Sequence, residues 1–575
     1  MSSKNIVQQK GQVANKVSQE KSSGSNTTPG NFSISNPILW LALAVIVLYL
    51  PSIFFTFTEL DDSIFIKEFQ SYNQDLHNLV VSFGRGVFDA TKDQYYRPLF
   101  LDSMILNYLF SAEGQNIASY HIANILFHLT SVLLLFRLFR LLGVKELHAF
   151  LLCLIFAVHP VLTEAVAWIP GRNDTILAIF TLSYLIFCIN WVTTGVAKWL
   201  WLSIGFLLLA FFTKETAVFI APTAFILLVI VLKRSWKESR MMVQYGVMAG
   251  CFALWYIARS MATLKPVPFD IAQVIQDFIH RLPLVIQYLG KIFLPFNLSV
   301  FPILEDTTYI YGVIALVLLI ALIYLNHKRE WRYIGAGLGI FLLFLLPILL
   351  IPHTLNEQTF EHRLYLPLMG MMLALSQTAL VFNRLTDKQL LTGGIYLTIA
   401  CGVINYSHQQ HFKDPISFWT QAEETSPHSA YAVMMYASRL TDKSDVKRSY
   451  DLMRYAYKLN PKEKYLNFYM GQMLQNEDSV IASEPYLLVE KQVSDYILCD
   501  FLLARVAMEK KDYTGAIKYL ETYLNRNKYD DKANNNLMLL YFQTNQRDKA
   551  IALVDKMRRN GLAVPAQFLQ QLGIK

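Results

Sequence analysis

Charge is scarce in this chain. Of its 575 residues only 16% are Asp, Glu, Lys or Arg, whereas 54% are hydrophobic, and the mean hydropathy is +0.32. So thin a cover of charge excludes an ordinary soluble protein and implies one that crosses a membrane many times. The net charge of +8 is scattered and forms no stripe, which argues against a nucleic-acid partner. Cysteine is equally sparse. Cys153, Cys188, Cys251, Cys401 and Cys499 stand alone, four of them in apolar runs, and form neither a disulfide framework nor a zinc site. Residues 1–36 have almost no large apolar side chains and are rich in Ser, Asn, Gln, Lys and Gly, the composition of a disordered tail. The first apolar run, about 37–57, is too long and too far along the chain for a cleaved signal peptide.

What is present is a succession of such runs. After the first come 119–142, 148–168, 173–194, 198–213, 216–232, 241–262, 308–326, 332–351, 363–383 and 389–406, which predicts about eleven crossings. The basic clusters "RLFRLLGVK", "KRSWKESR", "NHKREWR" and "NRLTDKQ" fall in every second connection. The positive-inside rule puts them and the tail in the cytoplasm, and everything after about 407 outside. The run at 283–302 would break the alternation if it crossed, so an interfacial or re-entrant segment is expected there.

From about 412 the composition changes to that of soluble helices. Pro427 and Pro461 are 34 residues apart, and Ala482, Ala516 and Ala550 repeat at the same interval. That is the tetratricopeptide period, with a small residue where paired helices touch. Three to four helical hairpins are expected over 412–575, against the alternative of an unrelated helical bundle.

The polar residues inside the apolar runs need an explanation. "FAVHPVLTEAVAWIPGRNDT", 156–175, carries His159, Glu164, Arg172 and Asp174. A charge at a helix centre costs about 2.5–3.5 kcal/mol on insertion scales, so such groups usually face a cavity and serve function. On the predicted topology they lie at outer span ends or in outer connections. With them lie Asp61 and Asp62 after the first span, in an outer loop over 58–118, and Arg97 and His121 before the second. Lys214 and Glu215 link two later spans, and Glu361, His362 and Arg363 open the tenth. Each has a bland reading. The Asp pair suits a helix cap, Arg172 and Arg363 suit snorkelling to lipid phosphates, His159–Pro160 suits a helix break, and Lys214–Glu215 a plain ion pair. Their concentration on one face is what the bland readings leave over, and it suits a site for an anionic lipid headgroup.

"LDD" after the first span, "YRPLFLDSMILNY", "YHIANILFH", "FAVHPVLTEAVAWIPGRND", "TKET" and "EHRLYLPLMG" occur in that order before the repeats. This resembles the transmembrane and TPR-repeat-containing O-mannosyltransferase family. The resemblance implies an all-α, polytopic membrane glycosyltransferase of the GT-C fold over 37–407, followed by an extracytoplasmic TPR-like α-solenoid. It also implies a polyprenyl-phosphate sugar as co-substrate, with mannose the sugar and Ser/Thr of exported proteins the acceptor. Asp61 becomes the expected base, with Asp62 beside it. Arg363, Arg172, Lys214 and Arg97 are the expected phosphate ligands, and His159, Glu164, Asp174, His362 and Glu361 are expected to shape the pocket. No cofactor or metal is demanded, although an Asp pair leaves a divalent ion open. Expected partners are the lipid-linked donor, membrane lipids and exported proteins or peptides held by the repeats. The site would face outward from a bacterial inner membrane, or into the lumen of an ER membrane in a eukaryote. Two alternatives stand beside this reading: the same chemistry on a surface glycan or lipid, and a non-enzymatic membrane-anchored scaffold or transporter. A scaffold needs neither the Asp pair nor the outer cations, and no internal repeat of a transporter is visible.

Overall fold

The computed structural model describes residues 35–88, 94–111, 116–263, 270–325, 329–350, 357–377, 385–440 and 444–574. All but the last two residues of the expected 1–36 tail lie outside the described residues, as do short pieces of the 58–118 connection and the end of the 363–383 run. Among the described residues the chain is helical throughout. Its only strand-like pairing is a bridge between Ile303 and Gln358.

Every expected apolar run forms a helix, but not every helix has the length of a span. Among the described residues six are long and apolar enough to cross: Pro37–Phe54, Ala118–Leu141, Ile169–Thr194, Ser239–Ala262, Trp331–Leu350 and Asp387–Phe412. Glu146–Val158 with Pro160–Ala167 makes a seventh if that pair, bent by 53°, counts as one span. Ala197–Phe211, Glu215–Val231 and Ile310–Tyr324 are shorter apolar helices, and Tyr365–Leu375 has 11 residues. The expected eleven crossings are therefore not what helix length supports. Fifteen residues rise about 22 Å, short of a hydrocarbon core of about 30 Å. Within the 58–118 connection, expected as a loop, Pro98–Phe110 is a further short apolar helix. The 283–302 run is a ten-residue helix, Leu284–Phe293, followed by turns and irregular chain.

Local sequence explains where elements start and break. Asn36 accepts from the Leu39 amide (3.3 Å), and Pro37 takes the first helical position, where a missing N–H costs nothing. Pro160 forces the bend after Val158, because His159 is pushed out of the helical region (ψ 127°). The helix that begins at Asp387 opens with a capping box between Thr386 and Gln389.

The C-terminal region comprises ten helices in five consecutive hairpins, from Pro415–Thr425 with Ala430–Ala437 to Arg547–Arg559 with Ala566–Leu572. That exceeds the expected three to four. Pro427 and Pro461 both lie in turns within hairpins, and Ala516 and Ala550 are fully buried at equivalent places near helix starts. Ala482 breaks the pattern. It is exposed in a short turn ahead of Glu484–Ser494, so its position in the 34-residue series marks no helix contact. The first two hairpins share one hydrophobic cluster with the membrane part, in which Trp419, Phe418 and Val433 pack with Phe55, Trp168 and Phe301. The last two hairpins have a core of their own.

Trp331–Leu350 and Tyr365–Leu375 pack backbone to backbone. A Cβ on Gly337 would come within 2.4 Å of the Ala374 amide nitrogen and 2.5 Å of the Gly370 carbonyl oxygen. This contact seats the turn Glu361–Leu364. Gly337→Leu should force the helices apart, costing roughly 1–3 kcal/mol or more. It is expected to lower the detergent-solubilised melting temperature, whereas Gly335→Leu, with open space around its Cβ position, should leave it nearly unchanged.

Candidate active site

The acidic pair divides its labour. After the first helix the chain runs extended from Phe55 to Thr58, then turns at Glu59 with φ +57° into the short helix Asp61–Ser63. Asp62 is buried. Its Oδ2 accepts from the Thr58 amide (2.6 Å) and hydroxyl (3.0 Å), and its Oδ1 from the Ser63 amide (2.9 Å). That carboxylate ties the loop together. Asp61 is half-buried and has no hydrogen-bond partner among the described residues. Burial pushes its carboxyl up to about 6, helped by Asp62 and opposed by Arg97 and Lys464.

Two of the cations, Arg97 and Lys214, are paired with carboxylates. Arg97 Nε donates to Glu215 Oε2 (3.0 Å), and the Tyr96 amide donates to Glu215 Oε1 (2.8 Å). With its amide oriented to donate to the Thr213 carbonyl (3.0 Å), Asn173 accepts from Arg97 Nη1 at 2.9 Å. Lys214 Nζ donates to both oxygens of Asp174, at 2.7 Å each. The plain Lys214–Glu215 pair read from the sequence does not form: Lys214 pairs with Asp174 and Glu215 with Arg97. Arg363 is half-buried, donates from Nη1 to the Gln358 carbonyl (2.9 Å) and lies over Phe360. Its charge is felt by Lys214 and His362, which Arg97 also influences, so these groups share one field.

His362 closes the cluster. Its amide donates to Glu164 Oε2 (2.9 Å), its Nδ1 lies 3.0 Å from Glu164 Oε1 though poorly aligned for a hydrogen bond, and its Nε2 lies 4.0 Å from Asp174. Phe360 stacks on its ring, and Trp168 packs against it, tilted. Burial first, then the nearby cations, push His362 down to about 3 against Asp174, so the imidazole is neutral at physiological pH.

Arg97, Glu164, Asp174, Lys214, His362 and Arg363 are thus brought together, and Asp61 lies within reach of the Arg97 charge. The other expected residues sit behind them. Arg172 is wholly buried. Its guanidinium donates to Asn124 Oδ1 (2.9 Å), Asn107 Oδ1 (2.9 Å) and the Tyr120 carbonyl (2.8 Å), which leaves no surface to offer a phosphate. It clamps three helices instead. His159 contacts the Ile292 carbonyl through Nε2 (2.9 Å) and accepts from the Val161 amide (3.3 Å), which fits the helix-break reading. Glu361 accepts from buried Lys291 (2.6 Å) and the Ser299 amide (3.0 Å), with His408 at 3.5 Å. Burial raises its carboxyl, but Lys291 and His408 prevail and hold it below the ordinary range. Lys291 was missed, although a lone lysine in "YLGKIFL" is the kind of signal that singled out Lys214. Lys464 was missed because only folding brings the repeats to Asp61. Among the described residues no group of three His, Cys, Asp or Glu could hold a metal ion.

Residues 100–257 match the family model of dolichyl-phosphate-mannose-protein mannosyltransferases. The mouse protein O-mannosyl-transferase TMTC1 is 38% identical over 104 residues, 18% of this chain and 11% of the relative. F38B6.6 of Caenorhabditis elegans is 34% identical over 110 residues, 18% and 15% of the two chains. Mouse TMTC4 is 34% identical over 126 residues, 20% and 17%. The aligned part therefore spans less than a fifth of those relatives. The resemblance to TMTC-like O-mannosyltransferases is thus partial, and residues 100–257 of the family match contain Arg172, Asp174 and Lys214 but neither Asp61 nor Arg363. A solved APC/C hetero-tetramer, Cut9–Hcn1, aligns over 93% of this chain and 98% of its own at 12% identity, but with a TM-score of 0.25.

Arg172→Lys keeps the charge but cannot span the three acceptors of the guanidinium fork. Unsatisfied buried acceptors cost about 1–3 kcal/mol each. The variant is expected to lose melting temperature in detergent. A phosphate-binding role would instead leave stability intact and raise the KM for a lipid donor.

Proposed function

We propose that the protein is a membrane glycosyltransferase of GT-C organisation that moves a sugar, mannose by its resemblance, from a polyprenyl phosphate to Ser or Thr hydroxyls of exported proteins. The observation that carries the reading is a carboxylate, Asp61, that has no hydrogen bond among the described residues and feels the charge of Arg97, itself in one field with Lys214 and Arg363. Transfer from a lipid phosphate needs both: a base for the acceptor hydroxyl, and positive charge where the leaving phosphate gains charge. The acceptor oxygen would attack the anomeric carbon as Asp61 takes its proton. The bond from that carbon to the phosphate oxygen would break, leaving the polyprenyl phosphate on the cations. One displacement inverts the anomeric centre. Asp62 holds the base's loop, and Glu164, Asp174 and neutral His362 shape the floor where a sugar would lie, His362 stacked on Phe360 and packed by Trp168.

Arginine gives a phosphate bidentate donors that lysine cannot, and Arg363, whose guanidinium has one hydrogen-bond acceptor among the described residues, is the best-placed ligand. Asp61→Asn preserves shape but removes basicity, and turnover with dolichyl-phosphate mannose should fall by roughly 10²–10⁴. The sign of the pH dependence follows from the raised carboxyl. The base form exists above its pKa, so the rate of the unaltered protein should climb as pH rises through about 6 and then level off. An Asp61→Asn protein that folds, inserts and turns over normally ends the assignment.

The site would face away from the cytoplasm, in a bacterial inner membrane or an ER membrane, with the repeats on the same side. A reporter that works only in the cytoplasm, fused after Lys575, should be silent, and a signal there would overturn the outward-facing site.

A further inference from the structure

We propose that Trp419 and Arg439, in and just after the first repeat hairpin, are positioning residues for Asp61, so that this hairpin belongs to the reaction site. The proposal rests on Asp61 as the base. The loop that carries Asp61 has no regular structure of its own between Phe55 and Leu60, and it turns through a left-handed Glu59 (φ +57°). Such a backbone persists only where its surroundings hold it. They hold it at two adjoining residues, and both holds come from the repeat region.

The Trp419 indole N–H donates to the Thr58 carbonyl (2.9 Å). Thr58 in turn donates twice to Asp62, so a chain of hydrogen bonds runs from the repeat to the residue next to the base. Arg439 Nη2 bonds Glu59 Oε2 at 3.1 Å, while Nη1 is anchored on the Met435 carbonyl (2.7 Å) and the guanidinium lies over the Trp419 ring. The anchors are themselves rigid. Trp419 is fully buried and packs edge-on against Phe418. Beside it, Gln421 bonds the Leu298 carbonyl and the Val300 amide on the membrane side. A backbone bond from the Thr56 amide to the Lys413 carbonyl (2.8 Å) closes the other end of the loop. The charged and titratable groups that face Asp61 are Asp62, Arg97, Lys464 and Tyr431, and the last two also come from the repeats.

The test uses the full chain in detergent, with Trp419→Phe, which keeps the ring packing but removes the N–H donor, and with Lys464→Gln at an exposed position. Hydrogen exchange of amides 56–63 should quicken at least tenfold in Trp419→Phe, while amides 513–557 keep their protection. With dolichyl-phosphate mannose and a Ser/Thr-rich peptide as probes, turnover per folded molecule should drop about tenfold and donor KM should stay within twofold. Looser packing admits water to Asp61, so the acidic limb of the rate profile should move below about 6 in Trp419→Phe. In Lys464→Gln, which lacks a stabilising cation, the limb should move upward at an unchanged plateau. Unchanged exchange over 56–63, or pH limbs that stay put while only the folded fraction falls, overturns the proposal, and exchange alone decides if the probe donor is not turned over. A fully active Asp61→Asn would instead sink the base itself, whereas an inactive Asp61→Asn beside silent Trp419 and Lys464 variants would sink this inference alone.

Discussion

The cost of burying charge organises the membrane part. An ion taken out of water loses several kcal/mol of hydration even after relaxation, and only partners close at hand return it. The chain answers in three ways. Lys291 with Glu361 and Lys214 with Asp174 are direct ion pairs at 2.6 and 2.7 Å. Arg172 spends its donors on neutral amide and carbonyl oxygens, and Arg97 mixes the two with Glu215 and Asn173. Because these partners come from helices far apart in sequence, satisfying each charge also fixes where two or three helices meet. Among the acidic groups of the cluster, Asp61 alone is left without a hydrogen bond among the described residues. The proposed role of Asp61 as the base rests on that exception.

The same logic joins the repeats to the membrane part. Composition changes near residue 412, yet packing does not. Trp419 and Phe418 share a core with Phe55, Trp168 and Phe301, and Gln421, Thr425 and Ser426 bond the chain at 298–301. The Gln421 and Ser426 bonds satisfy backbone groups of an irregular segment that has no helix or sheet to satisfy them. The first hairpins are thus the lid of the membrane part as much as the start of a solenoid. Farther along, clusters around Leu487 and Leu503 and around Leu520 and Leu537 are formed by the repeats alone.

How much could be read beforehand follows from this. Hydropathy located the helices of the long apolar runs, because a run of fifteen or more apolar residues has few other fates, but it passed over the shorter Pro98–Phe110. It could not count crossings, because whether Ile310–Tyr324 spans or stops short depends on neighbours that periodicity does not reveal. The 34-residue interval located the turns at Pro427 and Pro461 and the buried contacts at Ala516 and Ala550, then failed at Ala482, which lies ahead of its helix instead of within it. The rule that an ionisable residue in or beside an apolar run is functional gathered six groups that do meet, Arg97, Glu164, Asp174, Lys214, His362 and Arg363. It also gathered Arg172, His159 and Glu361, whose partners make them structural. The rule senses cost, and cost is the same whether a partner is protein or ligand. Lys464 and Arg439 were invisible to it, since a lysine or arginine in a soluble helix carries no anomaly.

One tension in the proposed site shows why its cations are paired at all. A field strong enough to hold a phosphate also stabilises a carboxylate and would drag the base's pKa down, making it a poor proton acceptor. Here Glu215 and Asp174 sit directly on Arg97 and Lys214, drawing off much of their charge before it reaches Asp61. Burial and Asp62 then outweigh what remains of Arg97 and Lys464, and the carboxyl settles near 6, close to neutral operating conditions. A leaving phosphate, unlike Asp61, would bring its own negative charge among the cations and compete with those carboxylates for their donors. Pairing therefore does two jobs at once. It keeps the cations affordable in a buried setting, and in the proposed reaction it would keep Asp61 basic until an anion arrives to share them.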